Sequence, residues 1–155
     1  MTARLMIGVI GAGQASERGR AWAYEVGRLL AARGAVLVCG GLGGVMEEAC
    51  RGCDDGGGLS LGLLPGPDAK AANPWVSLPV ATNMGHARNV IIAHSARVLI
   101  AVEGEYGTLS EIAVALKLGR PVISLGSWPL IPGVLAASSP REAVELAFQC
   151  LAVSD

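Results

Sequence analysis

Short runs rich in leucine and β-branched residues recur along the chain at 5–10, 36–39, 59–64, 76–80, 98–102 and 122–125, with helical patterns in the intervals. Such alternation demands a mainly parallel sheet, because each helix carries the chain back to the end from which the next strand can run in the same direction. In the first interval Trp22, Val26, Leu29 and Leu30 share one helical face, Glu17, Arg18, Glu25 and Arg28 fall elsewhere, and Gly34 stops the helix. Helices are also predicted over 45–53, 86–96, 109–118 and 141–151. The pattern predicts a three-layer α/β/α architecture around a sheet of six or seven strands. At 155 residues there is room for a single domain, 1–155.

The composition narrows the partners. A formal net charge of −1, from 12 basic and 13 acidic residues, leaves no electrostatic footprint for nucleic acid or anionic lipid. His94, Ser95 and Arg97 interrupt the longest apolar stretch, so no membrane span is predicted. Arg4 and the run 5–10, followed by Gly-Ala-Gly, imitate a secretory signal, but the run is too short and serves better as a first strand. A cytoplasmic protein is expected. With 52% hydrophobic and 16% charged residues, the chain is more apolar than a monomer surface needs, which points to a subunit interface. Of the four cysteines, only Cys50 and Cys53 form a Cys-x-x-Cys; without a second pair it reads as two reduced thiols on a helix with one face packed.

In a sheet of this kind the strand-to-helix loops meet at the carboxyl edge, where open α/β sheets bind ligands. The fold is therefore expected to be Rossmann-like. Three of these loops are rich in glycine. The first, residues 8–16, carries Gly11 and Gly13 and could cradle a phosphate at the following helix N-terminus; it is equally a glycine turn with Ser16 as N-cap. It lacks a clean Gly-x-Gly-x-x-Gly and a following acidic residue for a ribose, which weakens a dehydrogenase reading. The second loop places Gly40, Gly41, Gly43 and Gly44 within eight residues, letting a ligand approach the backbone; Met46 beyond it reads as core. The third, 102–111, offers Gly104, Gly107 and Thr108 to an anion and Tyr106 to stack on a ring. Thr108-x-x-Glu111 also matches a capping box, and the two roles are compatible. Arg88, at the start of the helix after the fourth strand, can fork onto a phosphate or pair with Glu111. His86 and His94 are isolated and suit helix-end or packed positions, not a metal.

Taken together, Gly40-Gly41-x-x-Gly44-x-Met46, Arg88 and Gly104-x-Tyr106-Gly107-Thr108-x-x-Glu111 resemble the LOG phosphoribohydrolases, often mislabelled lysine decarboxylases. Within that superfamily, Ile7-Gly8-Val9, Leu64-Pro65-Gly66-Pro67-Asp68, Ala87-Arg88-Asn89 and Ala113-Val114-Ala115-Leu116-Lys117 with Pro121-Val122 are most similar to the molybdenum cofactor carrier proteins and their bacterial relatives. The resemblance implies a Rossmann-like fold, a homodimer or homotetramer, and a ligand bound without being consumed. For the hydrolases it implies Arg88 and Glu111 acting on the N-glycosidic bond of a nucleoside monophosphate. Where the hydrolases read Pro-Gly-Gly-x-Gly-Thr, this chain reads Glu103-Gly104-Glu105-Tyr106-Gly107-Thr108, with two carboxylates that would each repel an anion by about 1 kcal/mol or more unless paired. Pyridoxal chemistry needs a poised lysine; only Lys70, in a polar loop, and Lys117, late in a helix, exist, so decarboxylation is set aside.

The expected function is thus that of a carrier or sensor, which holds a small phosphorylated ligand such as the molybdenum cofactor or a nucleotide. The residues expected to bind it are Gly11, Gly13, Gly40, Gly41, Gly43, Gly44, Arg88, Gly104, Tyr106, Gly107, Thr108 and Glu111. The alternative is a nucleoside 5′-monophosphate phosphoribohydrolase with Arg88 and Glu111 as its catalytic pair. No cofactor or metal is specified by the residues alone.

Overall fold

The computed structural model describes residues 3–128 and 130–153; the extreme ends of the expected 1–155 span and position 129 lie outside the described residues. The elements run β1 (Met6–Gly11), α1 (Glu17–Ala32), β2 (Val36–Cys39), α2 (Val45–Asp55), β3 (Leu59–Leu64), β4 (Leu78–Ala81), α3 (Arg88–Ser95), β5 (Val98–Val102), α4 (Tyr106–Lys117), β6 (Val122–Leu125), β7 (Val134–Ala136) and α5 (Pro140–Val153). Short 3-10 turns lie at Ala69–Ala71 and Gly85–Ala87. The strands form one sheet in the order β4-β3-β2-β1-β5-β6-β7, and every neighbouring pair is parallel. This is the Rossmann-like α/β architecture expected from the alternation.

Strand alternation sorts the apolar side chains into two cores. Ile7, Val9, Leu37, Cys39, Val98, Ile100, Val102, Ile123 and Leu125 face a cluster with α1, α2 and α5, while Ile10, Val38, Leu99, Ala101 and Val122 face the other cluster with α3 and α4. A sheet covered on both sides explains why its central strands read as continuous apolar runs. No helix among the described residues is long and apolar enough to cross a membrane.

Several boundaries differ from those predicted, each for a local reason. The fourth strand starts at Leu78, not at 76, because Ser60 and Ser77 trade bonds first: each backbone N–H donates to the other's hydroxyl at 3.0 Å. β7, a three-residue edge strand with Leu135 and Ala136 exposed, is too short to register as an apolar run. The fourth helix begins at Tyr106, three residues earlier than predicted, with Glu105 as N-cap and no side-chain capping bond. The Thr108–Glu111 capping box is therefore not formed. Ser16, in contrast, is the N-cap of α1 and accepts from the Gly19 N–H at 3.0 Å.

The Cys-x-x-Cys also resolves differently from its sequence spacing. Cys50 and Cys53 are both buried on α2, but the Cys50 thiol meets Cys39 at the end of β2, with the sulfurs 3.4 Å apart. Burial and the neighbouring Cys50 push the Cys53 thiol up to about 11, so it is an inert core group. No cluster of three or more metal-ligating side chains occurs among the described residues.

α1 and α2 approach so closely that glycine is required at the crossing: a Cβ at Gly27 would overlap the Ala49 carbonyl, and one at Gly52 the Tyr24 carbonyl. Gly52→Ala must force these backbones apart. It is expected to cost about 2 kcal/mol, as overpacking does, read as a lowered urea midpoint with an unchanged m-value.

Candidate functional site

The chain winds outward from β1 through β2, β3 and β4, then crosses back to β5 on the other side of β1. At such a switch the loops leaving the two central strands turn opposite ways and leave a crevice beyond their carboxyl ends. Here that crevice is a cleft of about 580 Å³, within the size range of sites that enclose a small organic ligand.

The cleft collects residues from every glycine-rich loop. Gly11 and Gly13 line it from the end of β1 and its loop, Gly40 from just past β2, Gly104 from the segment between β5 and α4, and Gly107 and Thr108 from the first turn of α4. Arg88 and Glu111 reach it from α3 and α4. Segments up to 100 residues apart therefore present backbone and one buried cation to a common space.

Gly41, Gly43, Gly44 and Tyr106 are not among the lining residues. Gly41 has φ +75° and packs toward Leu64, with its carbonyl accepting from the Asn73 N–H at 2.9 Å. Gly44, at φ +66°, leaves space for the Ala12 carbonyl, which a Cβ there would overlap and which the Val45 N–H binds at 2.9 Å. Part of the glycine content of the second loop thus serves to zip it to the first. Tyr106 is 79% exposed and tilts against Trp128, with ring centroids 5.8 Å apart.

Residues given other roles, or none, from the sequence also line the cleft: Ala12, Gln14, Met46, His86, Asn89, Glu103 and Glu105. Met46 packs against the core as well, so its reading as a core residue holds in part. His86 is exposed at the mouth, and His94 is an exposed residue of the last turn of α3. Asn89 carries a signal only in its place beside Arg88, because an amide can orient a guanidinium as readily as it can face solvent.

The electrostatics centre on Arg88 and Glu111, both almost fully buried. Arg88 Nη1 donates to Asn89 Oδ1 at 2.6 Å, and its Nε is buried with no hydrogen-bond partner. Its closest approach to Glu111 is 3.9 Å, from Nη1 to Oε1, too long for the bidentate fork that makes an arginine–carboxylate pair strong. Burial lowers the Arg88 value, opposed by Glu111, and pushes the Glu111 carboxyl up to about 7, with Arg88 pulling it down less than burial raises it. The pair is thus under-neutralised on both sides.

Glu103 behaves otherwise. Its carboxylate turns to the start of α1, where Oε2 accepts the Ser16 backbone N–H at 3.0 Å and Oε1 accepts the Ser16 hydroxyl.

The parallel sheet, its central switch point and the cleft there define a Rossmann-like protein with a candidate site at the carboxyl edge of its sheet. Within that class the chain belongs to the SLOG cluster4 family, whose model matches residues 4–149. It is 49% identical over 140 residues to an uncharacterised protein of Archaeoglobus fulgidus, covering 90% of this chain and 92% of that one. Among solved structures it is similar to the molybdenum cofactor binding protein of the phototrophic bacterium Rippkaea orientalis, with a TM-score of 0.92 and 36% identity over 97% of this chain and 99% of that one. It is also similar to the molybdenum cofactor carrier protein of Chlamydomonas reinhardtii, with a TM-score of 0.88 and 35% identity over 96% and 99% of the two chains. The superfamily inferred from the motifs is therefore the right one.

Proposed function

We propose that this protein is a carrier of the molybdenum cofactor, holding the cofactor's single phosphate on Arg88 and its pterin among the glycine-lined walls of the cleft. The observation that carries this reading is Arg88: a residue only 9% exposed, with a buried Nε that has no hydrogen-bond partner among the described residues. A buried polar group without a partner is costly, and a phosphate oxygen is the partner a guanidinium fork fits best. Gly40 is part of the same fit, since a Cβ there would lie 2.8 Å from Arg88 Nη1. Likeness over nearly the full chain to two proteins named for this cofactor supports the molybdenum cofactor as the cargo.

The lining also suits a carrier because it offers no obvious nucleophile. Thr108 is buried beneath Gly104, where a Cβ would overlap its side chain. Carrying requires a wall that excludes water from the cargo, and backbone-lined loops do this without reacting with it. We place the protein in the cytoplasm, where the apposed Cys39 and Cys50 thiols would stay reduced, and as a homodimer or homotetramer that covers the exposed Leu78 and Val80 of edge strand β4.

The test is to incubate the protein with molybdenum cofactor released from a donor enzyme, separate it by gel filtration, and quantify bound pterin by fluorescence after oxidation. Close to one pterin and one molybdenum per chain are expected, with the cofactor recovered intact. Retention no greater than by serum albumin would end the reading. A second reading, phosphoribohydrolase, is favoured by Glu111 alone, since a carboxyl titrating at about 7 could donate a proton to a departing base. Adenine released from AMP by the protein and lost in Glu111→Ala would replace the carrier by the hydrolase.

A further inference from the structure

We propose that Glu103 is a built-in counter-anion that occupies the second anion position of the cleft, restricting it to ligands with one phosphate and rejecting those with a pyrophosphate. This rests on the reading of the cleft as a site for a phosphorylated ligand. In α/β sheets the loop after the first strand and the N-terminus of its helix are where a dinucleotide's pyrophosphate is received, through free N–H groups and the positive end of the helix dipole. Gly11, Gly13 and the start of α1 form that arrangement here, and Gly11, Gly13 and Glu103 line the same cleft as Arg88.

The position is already taken. Glu103 Oε2 accepts the Ser16 N–H at 3.0 Å and Oε1 accepts the Ser16 hydroxyl, so both donors of the α1 N-cap residue are committed to a carboxylate of the chain itself. Independent features hold it there. Gly19, one turn into α1, leaves the space the carboxyl fills, because a Cβ at that position would overlap it. The Glu103 backbone is left-handed, at φ +53°, which non-glycine residues seldom adopt. The Ser127 hydroxyl donates to its carbonyl at 2.5 Å, and its own N–H donates to the Leu125 carbonyl at 3.3 Å. Strand β5, helix α1 and the loop after β6 thus each contribute to the placement.

The cleft therefore has two anion positions of opposite status: Arg88, a buried cation with an unpartnered Nε, and the α1 N-terminus, filled by Glu103. A monophosphate can use the first without meeting the second. A pyrophosphate that engages Arg88 and extends toward Gly13 must approach the Glu103 carboxylate and find the Ser16 donors taken. Repulsion between like charges at a partly buried distance of a few ångströms is worth about a tenfold loss of affinity or more.

The experiment compares binding of AMP, ADP, inorganic phosphate and inorganic pyrophosphate to the wild-type protein, Glu103→Ala and Glu103→Gln by calorimetry, with circular dichroism to confirm folding. Both the ADP-to-AMP and the pyrophosphate-to-phosphate affinity ratios are expected to rise about tenfold or more in Glu103→Ala. They should rise by a smaller factor in Glu103→Gln, whose amide oxygen still accepts from Ser16 without the charge. If Glu103→Ala fails to fold, the near-isosteric Gln variant carries the comparison. Ratios within twofold of wild type in the folded variants would overturn the proposal. Wild-type binding of AMP or phosphate with unchanged ratios removes this inference and leaves the carrier reading. Absence of wild-type binding with a gain in the variants does the reverse.

Discussion

Arg88→Ala is expected to lower affinity for phosphorylated ligands by about a hundredfold, the loss of one charge-assisted hydrogen-bonded contact of up to ~3 kcal/mol. Calorimetric titration with AMP and with the molybdenum cofactor measures it directly. The size of the effect follows from burial. A surface arginine would be screened and replaceable by water, whereas among the described residues Arg88 is anchored by Asn89 Oδ1 and a 3.9 Å approach to Glu111, and its Nε has no hydrogen-bond partner there. A ligand phosphate would supply what the fold withholds. Arg88→Lys should recover only a minor part of the loss, because an ammonium is a point charge and cannot present two parallel donors. The same residue is a poor candidate for stabilising the fold, since an under-paired buried charge costs desolvation. At pH 5–6, more than about a unit below the Glu111 value of about 7 and hence with its carboxyl protonated, the alanine variant should unfold within about 1 kcal/mol of wild type, a bound that separates lost binding from lost structure. An alanine variant that binds both ligands as the wild type does would show that phosphate is not received at this guanidinium.

The second large effect is a pH dependence of stability owed to Glu111. Its carboxyl titrates at about 7 in the folded chain against an ordinary value of 4.5, chiefly because burial disfavours the charged form. Between those values the unfolded chain has released a proton that the folded chain keeps. Stability therefore falls as pH rises through the window, by roughly 3 kcal/mol in all, and the contribution is level on either side. Glu111→Gln carries no such proton. The difference between wild-type and variant urea-unfolding free energies at pH 4.5, 6, 7 and 8 isolates the effect: the wild type should lose ground steadily up to pH 7 while the variant does not follow. A difference curve flat across that range would mean that the carboxyl titrates normally. Occupation of Arg88 by an anion should strengthen the trend, because it removes the attraction that holds the Glu111 value down.

Much of the architecture was legible in the amino-acid pattern because it depends on periodicities of two and about 3.6, which are local properties. The runs at 36–39, 59–64, 98–102 and 122–125 became strands with the same bounds. What escaped was set by short or side-chain-mediated features: the hydroxyl exchange between Ser60 and Ser77 that delays β4, and the three-residue edge strand β7. The glycine loops were recognisable, but which of their glycines face the cleft was not, because a missing side chain can make room for a ligand or for another loop. Gly40 lines the cleft and leaves space for the Arg88 side chain, whereas Gly44 leaves space for the first loop. Glu103 was visible only as a charge beside an expected phosphate; its attachment to Ser16, 87 residues away, is a contact no spacing encodes.

By itself the chain's alternation of strand-forming and helix-forming segments determined the parallel sheet and the carboxyl-edge position of the loops, since these follow from covalent order and local propensity, while the motifs in those loops identified the superfamily. Only the tertiary structure decided that Arg88 lies buried with an Nε lacking a hydrogen-bond partner among the described residues, that Glu111 comes no nearer to it than 3.9 Å, and that Glu103 accepts from the α1 N-cap residue Ser16. Those outcomes depend on distances between segments far apart in the chain and on how much water each group loses, and neither quantity exists until the layers have packed.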